Sequence, residues 1–103
     1  MEINIAKDFS EIPGGRLIIE GPFSGEEFRE KFLKPKYLEA RKTNQKLFID
    51  FDGGYGYASC FLEEAFGGLK RELKDDNIFE NLLIKSEEEP ELIKQIESYM
   101  KES

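Results

Sequence analysis

The sequence predicts an α/β fold: a small mixed sheet of about four strands, packed with helices, in the order β-β-α-β-α-β-α. Three observations carry that reading. Leu47-Phe48-Ile49-Asp50-Phe51 is a nearly continuous apolar run of strand length, as in a strand at the centre of a sheet covered on both faces. Phe61, Leu62, Ala65, Phe66, Leu69 and Leu73 recur at helical spacing and would form one apolar face. Strand-like and helix-like segments then alternate to the end of the chain, the pattern that gives crossover connections and parallel pairing.

Taken in order, Ile3 and Ile5 alternate with polar residues as in a half-buried strand, and Arg16-Leu17-Ile18-Ile19-Glu20 reads as a second one. Pro13-Gly14-Gly15 between them supplies turn chemistry, so an antiparallel hairpin is expected, ended by Gly21-Pro22. Ser24-Gly25-Glu26-Glu27 has capping-box spacing, in which the Ser24 hydroxyl and the Glu27 carboxylate would satisfy each other's free backbone donors. Phe28, Phe32 and Leu33 line that helix, and Pro35 is expected to break or kink it before a second piece containing Tyr37 and Leu38. Thr43-Asn44 leads into the central strand, and the Phe61-to-Leu73 helix is expected to end near Asp75-Asp76-Asn77. Leu82-Leu83-Ile84 reads as the fourth strand. Ser86-Glu87-Glu88-Glu89-Pro90 opens a last helix, with acids at the positive end of its dipole and Leu92, Ile93, Ile96, Tyr99 and Met100 on its inner side.

Bulk composition narrows the function classes. At 103 residues the chain reads as a single domain, residues 1–103, with nine Phe and four Tyr among its core material. Cys60 is the only cysteine and cannot form an intramolecular bridge, and the N-terminus lacks the basic and apolar regions of a secretion signal. A cytoplasmic setting is therefore expected. No stretch approaches the roughly 20 apolar residues that span a bilayer, and the net charge of −7 argues against a membrane surface. The excess acid lies entirely in residues 51–103, which hold six bases against thirteen acids. Nucleic acid is a poor partner for such a surface, because phosphate affinity needs clustered Lys and Arg. The Lys31-to-Lys46 stretch reads instead as a solvated helix face. The chain has no His, so histidine triads and His-ligated zinc are excluded.

Ligands and partners of open α/β sheets meet the carboxyl ends of strands, where loops lead into helices. Here that place is Asp50 to Ser59. Gly53, Gly54 and Gly56 free the backbone, and Ser59 is expected to cap the following helix. The spacing is neither the Walker nor the dinucleotide pattern, and no Lys follows. Asp52 with Glu63 or Glu64 could hold a hard cation, but a charge pair at a helix start is the preferred reading. Cys60 at the helix start has no His to act as its base and is expected to be a buried structural residue. Gly67-Gly68 inside a helix costs roughly 1 kcal/mol per Gly relative to Ala, so close packing of that helix against the sheet is expected to compensate.

Pro13-Gly14-Gly15-Arg16, Gly21-Pro22-Phe23-Ser24-Gly25-Glu26-Glu27-Phe28-Arg29, Ile49-Asp50-Phe51-Asp52-Gly53 and Gly56-Tyr57-Ala58-Ser59-Cys60-Phe61-Leu62-Glu63-Glu64-Ala65-Phe66-Gly67-Gly68-Leu69 together resemble a STAS-like family of prokaryotic α/β proteins. That family is related to the STAS domains of anti-sigma-factor antagonists. The resemblance implies a non-enzymatic regulatory or protein-interaction module; in the antagonists a histidine-kinase-like ATPase phosphorylates a serine at this helix start, which makes such an ATPase the expected partner, and no cofactor or metal is expected. The antagonist pattern Asp-Ser-Ser-Gly-Leu falls on Ala58, Ser59, Cys60, Phe61 and Leu62. The usual phosphoacceptor position is thus Cys60, and Ser59 is the one hydroxyl left there. The expected partner edge comprises Asp52, Gly53, Tyr55, Tyr57, Ser59, Cys60, Glu63 and Glu64, with Tyr55 as an exposed aromatic contact. The alternative is a small-molecule or nucleotide binder using the glycine-rich loop and helix-start amides of residues 53–60.

Overall fold

The computed structural model describes all residues, 1–103. Its sheet has three strands, β1 (Glu2–Asn4), β2 (Leu47–Asp50) and β3 (Leu82–Lys85), all parallel and in the order β1-β2-β3. The central place of the Leu47 run is as expected. The sheet is neither mixed nor four-stranded, because the N-terminal hairpin does not form.

The reason lies in side chains that take the backbone donors a hairpin would need. Asn4 ends β1: its amide oxygen accepts from the Lys7 N–H, its own N–H goes to the Asp8 carboxylate, and a short helix α1 (Ile5–Asp8) begins. Further on, the Leu17 N–H donates to the Glu20 carboxylate and the Ile18 N–H to the Glu26 carboxylate. Ile18–Glu20 becomes a 3₁₀ turn, and the expected second strand is part of an exposed strap running from Phe9 to Phe23. Its middle is tied to its far end by a Gly14 N–H to Phe23 carbonyl bond of 2.7 Å. Phe23 has a positive φ of 57°, a costly conformation for a bulky residue, and its ring packs edge-on to Phe9 at 5.5 Å.

The strand register sorts residues into two faces. Ile3, Ile49 and Ile84 lie in one row, with Leu47 beside Leu82 on the same face, and these point into the core. Glu2, Phe48 and Leu83 form a row on the opposite face, and Asn4, Asp50 and Lys85 form another at the carboxyl ends of the strands. β2 therefore alternates buried and half-buried positions, so it is not covered equally on both faces as its apolar run had suggested.

The crossover from β1 to β2 is α2 (Gly25–Phe28), a π-helical turn (Arg29–Leu33) and α3 (Lys34–Lys42), following one another without a break. Ser24 is the N-cap and accepts the Glu27 N–H, but the Glu27 carboxylate takes the Phe23 N–H and not that of Ser24. Pro35 does not end the helix. The wide turn before it, in which the Lys34 N–H bonds to the Arg29 carbonyl five residues back, accommodates a residue that lacks an N–H and crowds the preceding turn. Asn44, at φ 58°, closes α3 as a Schellman motif, with Gln45 N–H to Ala40 carbonyl and Asn44 N–H to Arg41 carbonyl.

The crossover from β2 to β3 is α4 (Ser59–Leu62), a second π-helical turn (Glu63–Gly67) and α5 (Gly68–Leu73). It ends at Lys74, whose φ of 54° and N–H bond to the Lys70 carbonyl stop the helix just before the expected Asp75. The glycines in it allow close approach, though not to the sheet. A Cβ on Gly68 would overlap the Arg29 guanidinium, and one on Gly67 would press on Ser103 at the end of α6 (Glu91–Glu102). Gly25 faces backbone instead: a Cβ there would stand 2.5 Å from the Phe61 carbonyl oxygen. Phe28, Phe61, Phe66 and Phe51 pack where the two crossovers meet, and Leu92, Ile96 and Met100 of α6 close the core.

Candidate functional site

The parallel topology brings Asn4, Asp50 and Lys85 side by side at the carboxyl edge of the sheet, and the loop Phe51 to Ala58 leaves β2 from that edge. Asp50 starts the turn by accepting the Asp52 N–H on its carboxylate at 2.9 Å. Gly53 and Gly56 then take φ of 99° and 123°, conformations that strain any residue with a Cβ.

Two loops at this edge hold each other reciprocally. The Asp52 carboxylate accepts the N–H groups of Glu88 at 3.0 Å and Glu87 at 3.1 Å, and the Glu88 carboxylate accepts the Gly53 N–H at 2.8 Å. Donation from the Glu88 amide, then from the Glu87 amide, holds the Asp52 carboxyl below the usual carboxylate range. Ser86, buried behind them, donates its hydroxyl to the Glu89 carbonyl. The Ser86-to-Pro90 segment, expected to open the last helix, is thus a clasp, and α6 begins only at Glu91.

The tyrosines of the loop divide. The Tyr57 hydroxyl donates to the Phe51 carbonyl at 2.8 Å, and its ring packs edge-on to Phe51 at 5.0 Å. Burial, with the nearby Asp50 and Asp52 charges, pushes its phenol above the ordinary tyrosine range. Tyr55 is 81% exposed, and its amide N–H, bonded to the Glu11 carbonyl, fixes the loop to the start of the strap.

At the helix start the N-cap is Ala58, with extended φ and ψ of −69° and 144°, and Ser59 is already the first helical residue. The expected Ser59 cap therefore does not form, since a residue inside the helix cannot turn its hydroxyl onto the amides that follow. Ser59 is exposed. Cys60 is half-buried, not buried as expected, because it lies between solvent and the inward positions Phe61 and Leu62.

Glu63 and Glu64 are committed to arginines. Glu64, with its side chain 14% exposed, pairs with Arg29 at 2.7 Å, and the same Arg29 nitrogen donates to the Glu64 carbonyl at 2.6 Å. Arg29 also meets Glu30 at 3.3 Å and Glu72 at 3.4 Å, while Lys34 pairs with Glu72. Glu63 is held by Arg71 and Arg16, and Arg71, the stronger influence, keeps its carboxyl below the usual range. Arg16 spans Glu63 and Glu64, pinning the strap to the second crossover. For Glu63 and Glu64 the charge-pair reading therefore describes the geometry, and Asp52 faces a different loop.

Of the eight expected edge residues, Gly53, Tyr55 and Ser59 face solvent, Cys60 and Tyr57 do so in part, and the three acids serve internal contacts. Sequence reasoning missed the arginine partners Arg16, Arg29 and Arg71, which lie 35 to 48 residues from Glu64 or eight from Glu63. The available signal was Gly68 and Gly25, small residues where a long side chain or a second backbone must pass. It also missed Lys85 and Asn4, which only strand register places beside Asp50.

These features sit on a known framework. A family model described as a STAS-like domain of unknown function (DUF4325) matches residues 24–92, about two thirds of the chain. The chain belongs to this family. The match runs from the Ser24 cap through both crossovers to the first turn of α6, so it includes the candidate loop and excludes β1 and the strap. Comparison with curated proteins and with solved structures gave no significant match. No helix is long and apolar enough to cross a membrane.

Proposed function

We propose that this STAS-like chain is a non-enzymatic regulatory module that engages a protein partner through the loop and helix start running from Asp52 to Glu64. The observation that carries the reading is Tyr55, an aromatic side chain 81% exposed on a loop whose backbone is bonded to two other segments, through the Tyr55 N–H to the Glu11 carbonyl and the Gly53 N–H to the Glu88 carboxylate. Exposed aromatics on preorganised supports lose little conformational entropy when a partner covers them, and so serve as interface anchors. Gly53, Tyr55 and Ser59 are the contact residues of this edge, with Tyr57 and Cys60 at its border. Asp52, Glu63 and Glu64 shape it from within.

The partner class suggested by family likeness is a histidine-kinase-like ATPase, acting in a cytoplasmic setting, with Ser59 as the phosphoacceptor. A phosphate on Ser59 would stand at the positive end of a helix whose N-cap, Ala58, supplies no side-chain acceptor. Incubation with such an ATPase and ATP, followed by mass spectrometry, should place phosphate on Ser59; an unmodified Ser59 removes partner switching by phosphorylation from the account. The second reading is a nucleotide or small-molecule site at residues 53–60. A protein partner is preferred because the loop presents an outward aromatic, whereas the surface concavity lies elsewhere, lined by residues such as Lys70, Ile78 and Met100. A thermal-shift screen separates the two, since a bound nucleotide stabilises by RT ln(1 + [L]/Kd).

A further inference from the structure

The strap between α1 and α2 carries a surface that the proposed edge does not use. Ile12, Leu17, Ile18, Ile19 and Phe23 are all exposed on it, Ile19 to 89%. Five large apolar side chains within twelve residues are more than the scattered exposure ordinary for a globular surface. The strap is nevertheless ordered by specific bonds: Gly25 N–H to Gly15 carbonyl, Glu26 N–H to Arg16 carbonyl, Gly14 N–H to Phe23 carbonyl, and the Arg16 ion pairs. Its apolar side chains are presented outward by a backbone that is held in place.

The charge around it selects the occupant. Glu11 and Glu20 lie on the strap, the Glu26 carboxylate bonds to its Ile18 amide, and the Glu27 carboxylate bonds to its Phe23 amide while pairing with Lys31 at 3.3 Å. The strap's one base, Arg16, is turned inward onto Glu63 and Glu64. A second copy docked strap to strap would set these carboxylates against their own equivalents. An anionic membrane would be repelled in the same way.

We propose that the strap from Ile12 to Phe23 is a docking surface for a basic amphipathic segment of a partner protein, whose apolar side chains cover Leu17, Ile18 and Ile19 while its Lys or Arg residues meet the surrounding carboxylates. This surface lies outside the family-matched span and its use does not depend on Ser59 or Tyr55.

The probe is an 18-residue helical peptide with a leucine face and a lysine face, compared with the same peptide carrying glutamate for lysine. Titration of the purified chain, followed by amide chemical shifts and calorimetry, should show binding of the lysine peptide, shifts centred on residues 12–23, and at least tenfold weaker binding of the glutamate peptide. The double variant Ile18→Ser, Ile19→Ser should weaken the lysine peptide at least tenfold with an unchanged melting curve, because both side chains are exposed. Leu83→Ser, an exposed apolar site on β3, should change it less than twofold. Absence of binding, shifts elsewhere, or indifference to the double variant overturns the proposal. So does a dimer in sedimentation that the double variant dissociates, or binding to phosphatidylcholine vesicles that it abolishes.

Discussion

Replacing Glu64 by Gln keeps the shape of the side chain and removes its charge from the junction of the two crossovers. Arg29 and Glu64 are only 11% and 14% exposed, so neither charge is well solvated once the other is gone. Removing one partner of a fully buried pair costs about 3–5 kcal/mol. Arg29 would still have the Glu64 carbonyl at 2.6 Å, Glu30 and Glu72, which reduces the expected cost to about 2 kcal/mol. In a domain of this size that lowers Tm by about 8–16 °C. Glu63→Gln is the control. Glu63 is more exposed and its partners Arg16 and Arg71 are substantially solvated, so its loss should cost less than about 1 kcal/mol. Thermal melts by circular dichroism measure both. A Glu64→Gln variant melting within about 2 °C of wild type, or no lower than Glu63→Gln, would refute the structural role assigned to this pair.

Three further outcomes follow from the same geometry. Gly25→Ala places a methyl group 2.5 Å from the Phe61 carbonyl oxygen, where only backbone can yield, and should cost about 1–3 kcal/mol in chemical denaturation. Ala58→Ser supplies the absent cap acceptor at an exposed position and should stabilise by about 1 kcal/mol, visible as a higher Tm; an unchanged Tm would contradict the assignment of Ala58 as N-cap. The carboxyls of Asp52, Glu63 and Glu72 titrate below their usual range, so their contribution is present above the unfolded carboxylate values near pH 4 and is lost as pH falls through the lowered ones. Melting temperature should drop between pH 5 and pH 3, and the drop should be shallower in Asp52→Asn.

What the sequence disclosed was what local pattern controls. Leu47–Phe51 announced the central strand, the Phe61-to-Leu73 spacing the second crossover, and Ser24 a helix start, because period and cap chemistry act within a few residues. Leu17-Ile18-Ile19 misled for the opposite reason. Their strand propensity is outweighed by Glu20 and Glu26, whose carboxylates capture the backbone donors, and by Arg16, drawn to acids nearly fifty residues away. Pro35 misled because a wider helical turn absorbs it. At the candidate site, Gly53 and Tyr55 were legible as an exposed glycine-rich loop. The partners of the acids were not legible, because a carboxylate's partner is set by tertiary contact and not by its neighbours in sequence.

The central claim, that the Asp52-to-Glu64 edge contacts a protein partner, is tested most directly by quantitative affinity capture from native extract with wild type and with Tyr55→Ser. Tyr55 is exposed, and its structural contact is through its backbone, so the variant should fold and melt as wild type does. The account predicts a partner retained by wild type and reduced at least tenfold by the variant. Equal yields of every retained protein, at equal melting temperature, would contradict it.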